Sequence, residues 1–168
     1  MKSEFTDETD KKIKLKVINI LFALTISISV ILFDNNNLKA SIMTFPPSSN
    51  GAMEAVAFLV GWLLFGIVMG YMKTKSFMKF LSIYWGIGGL ICLMGIRVST
   101  TRLSELALLT IPVNILFLTP TYGLGYYLNV GSSYLSAVMC ITLSWSSGAI
   151  GFLLGYVLKK LRVSTVSN

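Results

Sequence analysis

The sequence predicts an all-α polytopic membrane protein with five apolar segments. Of its 168 residues, 54% are hydrophobic and only 12% are charged, and the mean hydropathy is +0.74. Uncharged runs of about 20 residues match the thickness of a bilayer and are too long for barrel strands. The backbone N–H and C=O groups are therefore expected to form their hydrogen bonds within helices. We therefore expect one helical membrane domain over residues 15–158, between a solvated cytoplasmic tail (1–14) and a short basic cytoplasmic tail (159–168).

The first apolar run, residues 15–33, follows a lysine-rich flank and is expected to be retained as a span. It is longer than the core of a secretory signal. A cleavage site also needs a small residue three positions before the cut, and residues 38–40 begin with Leu38, which is not small. The connection that follows, residues 34–51, is rich in Asn, Pro and Ser and is expected to be an exposed loop.

A short basic turn separates the second and third runs, residues 52–72 and 77–96. Gly66 and Gly70 stand four residues apart in the second run, which places them on one helix face and predicts helix packing there. Four glycines in the third run predict close packing or a bend. The tryptophans lie well inside their runs and are expected to pack between helices.

The fourth run, residues 106–128, is the least regular. Pro112 and Pro120 each remove a backbone donor, and Asn114 lies between them. Irregular backbone at membrane depth is tolerated only where protein covers it or where it lines a wet cavity. We therefore expect a broken or re-entrant segment here, which leaves four full transmembrane helices.

The last run, residues 134–158, carries the most regular pattern of small residues. Ser147, Gly151 and Gly155 recur every four residues, so this helix is also expected to present a packing face to a neighbouring helix.

The positions of the 14 Lys and Arg residues bear on the topology, because cytoplasmic loops carry an excess of positive charge. A re-entrant segment at 106–128 leaves more of them inside than five full spans would, and a non-spanning 77–96 leaves more still. The prolines and the asparagine of the fourth run favour 106–128 as the segment that does not cross. Both termini are then cytoplasmic in a multi-pass protein of the cell (plasma) membrane.

Composition excludes several kinds of chemistry. The chain has no histidine, and every aspartate lies outside the apolar runs, which excludes histidine-based sites and a membrane aspartate pair. No nucleotide-binding motif appears, and Cys92 and Cys140 are expected to be packing residues. We expect no enzymatic activity, no cofactor, no metal site and no nucleic-acid partner.

Two sets of residues are candidates for function. Four charges are expected at the outer boundary, either as independent interfacial charges or as a charged mouth for a ligand or partner: Glu54, Arg97, Arg102 and Glu105. Asn114 and Ser144 form a candidate polar path, and the alternative is that Asn114 only hydrogen-bonds a neighbouring helix.

These observations predict a small integral membrane protein that acts as an accessory or interaction subunit of a larger membrane system. Its expected partners are the lipid bilayer and other membrane proteins or a second copy of the chain. The alternative is a membrane transport component with a solute path near residues 106–128.

Overall fold

The computed structural model describes residues 13–14, 17–29, 46–74, 76–99, 104–128 and 133–166. Most of these residues are helical and none of them lies in a strand, which confirms the predicted all-α class. The helices that they form are α1 (Val17–Ser29), α2 (Ser49–Tyr71), α3 (Ser76–Ser99), α4 (Ser104–Phe117), α5 (Thr119–Tyr122), α6 (Gly125–Leu128) and α7 (Ser133–Val166).

Three stretches are long and apolar enough to cross a bilayer: Ser49–Tyr71, Ser76–Arg97 and Tyr134–Arg162. This confirms the expectation of a membrane-embedded protein. Val17–Ser29 is a shorter apolar helix, and several residues of the first predicted run lie outside the described residues. The described residues thus give three candidate spans, where the sequence predicts four full ones.

Helices α2 and α7 run parallel and make the most extensive contact in the bundle. The Ser147 hydroxyl donates to the Leu59 carbonyl at 2.6 Å, and two turns later Gly155 lies against the Ile67 carbonyl. An advance of eight residues along α7 therefore matches an advance of eight along α2, so the two helices begin at the same end of the bundle.

Helix α3 runs antiparallel to both. The Trp145 indole of α7 donates to Ser82 at 3.2 Å, whereas the later Phe152 stacks on the earlier Phe77 with ring centroids 5.6 Å apart. Helix α3 therefore ends where α2 and α7 begin. We call the end of the bundle where α2 finishes, marked by Tyr71 and Lys73, the basic end, and the other the opposite end.

Aromatic side chains fill the middle of the bundle. Trp62 of α2 and Trp85 of α3 are 0% and 1% exposed, and their ring centroids are 5.5 Å apart. Further rings from α1, α2, α3 and α4 surround them: Phe22, Phe58, Phe65, Tyr84 and Phe117. Trp145 differs, because it is 38% exposed and lies at the edge of the α3–α7 contact.

The chain from α4 to α6 is broken into short helices. Pro112 lies inside α4, and Pro120 occupies the first turn of α5, where its missing N–H leaves no helical hydrogen bond unmade. Phe117, the last residue of α4, lies against Gly88 at the middle of α3. Gly123 lies against the carbonyl of Gly51, in the first turn of α2.

Candidate functional site

Asn114 lies in α4 and faces α3. A Cβ added to Gly95 would come within 3.1 Å of the Asn114 amide nitrogen, so the absence of a side chain on Gly95 makes room for the carboxamide. The Asn114 Oδ1 atom is buried and accepts no hydrogen bond from the described residues. An amide oxygen in this condition costs free energy unless something pairs with it, which makes Asn114 the principal polar position of the broken segment.

Ser144 is fully buried in α7, and its hydroxyl donates to the Cys140 carbonyl of its own helix at 2.9 Å. No hydrogen bond between described residues joins Ser144 to Asn114, whose Nδ2 lies against Gly95 instead. The two members of the expected polar path therefore lie on separate helices, without a direct link.

Sulfhydryl and hydroxyl groups contact carbonyls of the broken segment. The Cys140 thiol donates to the Thr121 carbonyl at 3.3 Å, and the Thr121 hydroxyl donates to the Leu118 carbonyl at 3.2 Å. On the α3 side, the Cys92 thiol lies 3.7 Å from the Val113 carbonyl. The cysteines were expected only to pack, and here their thiols also contact carbonyls of α4 and α5. The Leu118 and Thr121 carbonyls accept backbone N–H groups as well, from Thr121 and Leu124.

Two members of the outer charge cluster, Glu54 and Arg97, lie at the opposite end. Glu54 is half-buried in the first turns of α2, and Arg97 is exposed in the last turn of α3. Arg102 and the side chain of Glu105 lie outside the described part of the chain, so only Glu54 and Arg97 can be placed.

The small residues expected to pack helices lie together in the α2–α7 contact. A Cβ on Gly66 would meet the Gly148 carbonyl, and one on Gly70 would meet the Phe152 carbonyl. From the other side, Gly151 faces the Leu63 carbonyl. Gly155 and Ser147 contact α2 as described above, so the contact brings all five of these residues into one backbone-to-backbone seam.

Sequence reasoning missed Asn19 in α1. This side chain is 1% exposed, and its Oδ1 atom accepts no hydrogen bond from the described residues. On the same helix face, the buried Ser27 hydroxyl lies 3.4 Å from the Tyr84 hydroxyl of α3. The eight-residue spacing of Asn19 and Ser27 corresponds to one face of a helix and would have revealed this polar stripe.

Comparisons with protein-family models, curated proteins and solved structures found no match to this chain.

Proposed function

We propose that the chain is a non-enzymatic integral membrane protein that acts as an accessory or interaction subunit of a larger membrane assembly. The observation that carries this proposal is the packed aromatic centre of the bundle. Trp62 and Trp85 are in ring contact with each other, and Phe117 closes against Trp85 at 5.5 Å between centroids. These rings fill the space between α2, α3 and α4, which favours a packed bundle over a channel through its centre.

We also propose that residues 106–128 enter and leave the membrane from the same side, with α1 as part of a fourth span. Helix α3 finishes at the opposite end, and α7, which is parallel to α2, begins there. The segment between them must therefore start and finish at the opposite end, which supports this topology. The contact of Gly123 with the start of α2 supports it too. By the positive-inside rule the basic end, and with it both termini, is cytoplasmic in the plasma membrane.

Cysteine labelling tests this topology. Single substitutions Ser41→Cys, Asn129→Cys and Ser167→Cys, made in a Cys92→Ser, Cys140→Ser background, are treated with a membrane-impermeant maleimide in intact cells. We expect labelling at positions 41 and 129 and silence at 167 until the cells are opened. Labelling at 167 with silence at 129 would mean that 106–128 crosses the membrane.

The accessory function is tested by comparing the particle mass of the chain in two preparations. One is extracted from native membranes in a mild detergent, and the other is purified after expression alone. We expect a larger particle from the native membrane and no solute or ion flux from the purified chain in liposomes. Equal masses would contradict the proposal.

A role as a transport component is the second candidate, and the buried, unpaired Asn114 Oδ1 favours it. Discontinuous helices form the substrate sites of many transporters at membrane depth, and a buried polar group beside such a break could contact a polar solute. Flux by the purified chain in liposomes, abolished by Asn114→Ala and retained in Thr142→Val, would establish transport. Thr142 is a suitable control because it is exposed and bonded only within its own helix.

A further inference from the structure

Three cations and two tyrosines lie at the basic end, where α2 finishes and α7 continues beyond it. Arg162 donates to the Tyr71 hydroxyl at 2.6 Å, and the Lys159 ammonium lies 5.7 Å from the centre of the Tyr71 ring. The Lys73 ammonium lies 5.9 Å from the centre of the Tyr156 ring. We call these five residues the donor cluster. Each ammonium is within the range at which an aromatic face attracts a cation.

The donor cluster is rich in positive charge. The Tyr71 hydroxyl accepts a hydrogen bond from Arg162, which leaves its own proton available as a further donor. Within the described residues, both glutamates belong to the opposite end, and no aspartate is present. Three like charges gathered in this way repel one another, and an anion bound among them would relieve that repulsion.

The backbone at Lys73 points to a role for its side chain. Lys73 has φ 55°, in the left-handed region, and its N–H donates to the Gly70 carbonyl while that of Thr74 donates to the Met69 carbonyl. This pattern is a Schellman motif, whose left-handed position is usually glycine. Lysine in this conformation costs free energy relative to glycine, and strained positions of this kind cluster at functional sites.

The cluster also lies at the depth of lipid headgroups. Residues 55–72 contain no charge, and as a helix they span about 27 Å, close to the hydrocarbon thickness of a bilayer. Lys73 is the first charge after that stretch, and Lys159 is the first charge after the uncharged residues 133–158 of α7. The donors therefore lie at the boundary between hydrocarbon and headgroups, next to tyrosines that suit this layer.

We propose that the donor cluster binds a phosphate anion, and that the phosphate is the headgroup phosphodiester of an anionic phospholipid. Arg162 and the Tyr71 hydroxyl donate to the phosphate oxygens, and Lys73 and Lys159 supply charge from either side. This inference is independent of the accessory function, because it concerns a lipid site on the cytoplasmic face and not a protein partner.

Native mass spectrometry of the full-length chain in mild detergent tests the site. The protein is mixed with equal amounts of dioleoylphosphatidylglycerol and dioleoylphosphatidylcholine, which share acyl chains and differ in net charge. We expect the wild type to retain phosphatidylglycerol preferentially. Arg162→Gln and Lys159→Gln should each lower the ratio of the two bound lipids about fivefold, as expected for loss of one cation near an anionic surface.

Lys160→Gln is the matched control. It removes the same charge one position away, from an exposed lysine for which no ring contact is present among the described residues. We expect it to change the lipid ratio less than about twofold, since only the long-range charge is lost. An equal fall in Lys160→Gln and Lys159→Gln, or no fall in any variant, would overturn the site.

Lys73→Gly separates binding from folding. Glycine relieves the left-handed strain, so we expect the variant to unfold at the same or a higher temperature while the lipid ratio falls about fivefold. A lower unfolding temperature together with unchanged lipid retention would overturn the role of Lys73.

Inorganic phosphate distinguishes the two sources of the anion. We expect bound phosphatidylglycerol to remain when millimolar phosphate is added. This result would identify the lipid headgroup as the ligand. Displacement of the lipid, with a phosphate adduct that Arg162→Gln abolishes, would retain the anion site but overturn the lipid assignment in favour of dissolved phosphate.

Discussion

Glycines line both the α2–α7 contact and the α3–α4 contact, but they do different things in each. In α2–α7, a Cβ on Gly66 or Gly70 would meet backbone atoms of α7. In α3–α4, a Cβ on Gly88 would meet the ring of Phe117, and one on Gly95 would meet the side chains of Thr110 and Asn114. The first contact joins two backbones, and the second is a pair of sockets for side chains.

This difference determines how each contact tolerates change. A backbone carbonyl in a helix is held by its neighbours and cannot retreat, whereas a side chain has rotamers to move into. The same glycine-to-alanine substitution should therefore cost much more in the α2–α7 contact than in the α3–α4 contact.

Gly70→Ala should give the largest effect. The new methyl group would press on the Phe152 carbonyl and force α2 and α7 apart, so we expect the free energy of unfolding to fall by about 3 kcal/mol, the upper part of the range for overpacking. Unfolding by sodium dodecyl sulfate in mixed micelles measures this. A smaller loss of unfolding free energy than that of Gly88→Ala would contradict this difference between the two contacts.

Gly88→Ala should cost less, about 1 to 2 kcal/mol, because the Phe117 ring can shift away from the new methyl group. A second change tests the socket directly: Phe117→Leu shortens the side chain, so the double variant should lose less than the sum of the two single variants. Additive losses in the same unfolding assay would show that Gly88 and Phe117 do not act as a pair.

Asn114→Leu tests the socket at Gly95, which receives the Asn114 side chain. Leucine has nearly the shape of asparagine and lacks the Oδ1 atom that is buried without a partner, so we expect unfolding stability to rise by about 1 kcal/mol. A loss of stability would indicate that the carboxamide is paired in the membrane, by a solute, by water or by another chain. Asn114→Asp, which adds charge at the same place, should be destabilising in the same assay.

Gly86→Ala should give the smallest effect. Gly86 is exposed on α3, and a Cβ there would meet no atom within 4 Å. We expect a gain of about 0.5 kcal/mol, because alanine favours the helix over glycine. A large loss would mean that this surface of α3 is covered by a partner or a second copy, and crosslinking from Ser82→Cys would then locate it.

The sequence predicted the glycine faces of α2 and α7 because a four-residue spacing is a local signal that needs no knowledge of the partner. It did not predict that these two faces meet each other, nor that Gly88 receives Phe117, since both depend on which helices become neighbours. The irregularity of residues 106–128 was visible in Pro112 and Pro120, yet the partners of its carbonyls were not.

The donor cluster was also beyond the reach of the sequence. Lys73, Lys159 and Arg162 appeared there only as flanking charges that report topology. Their positions beside Tyr71 and Tyr156 depend on the parallel arrangement of α2 and α7, which brings the end of α2 level with residues 156–162 of α7. Asn19 was missed for a simpler reason, because an apolar run conceals one amide unless its helical face is followed.

The contact between α2 and α7 also has a consequence for how the protein is made. Ribosomes deliver α2 to the membrane before α7, so the seam that joins them stays open while every helix between them is synthesised and inserted. During that interval the Gly66 and Gly70 face meets lipid, and the Leu59 carbonyl has no hydroxyl from Ser147. The α2–α7 seam therefore forms only after α7 has been inserted, and a chain cut short before α7 leaves the glycine face of α2 uncovered.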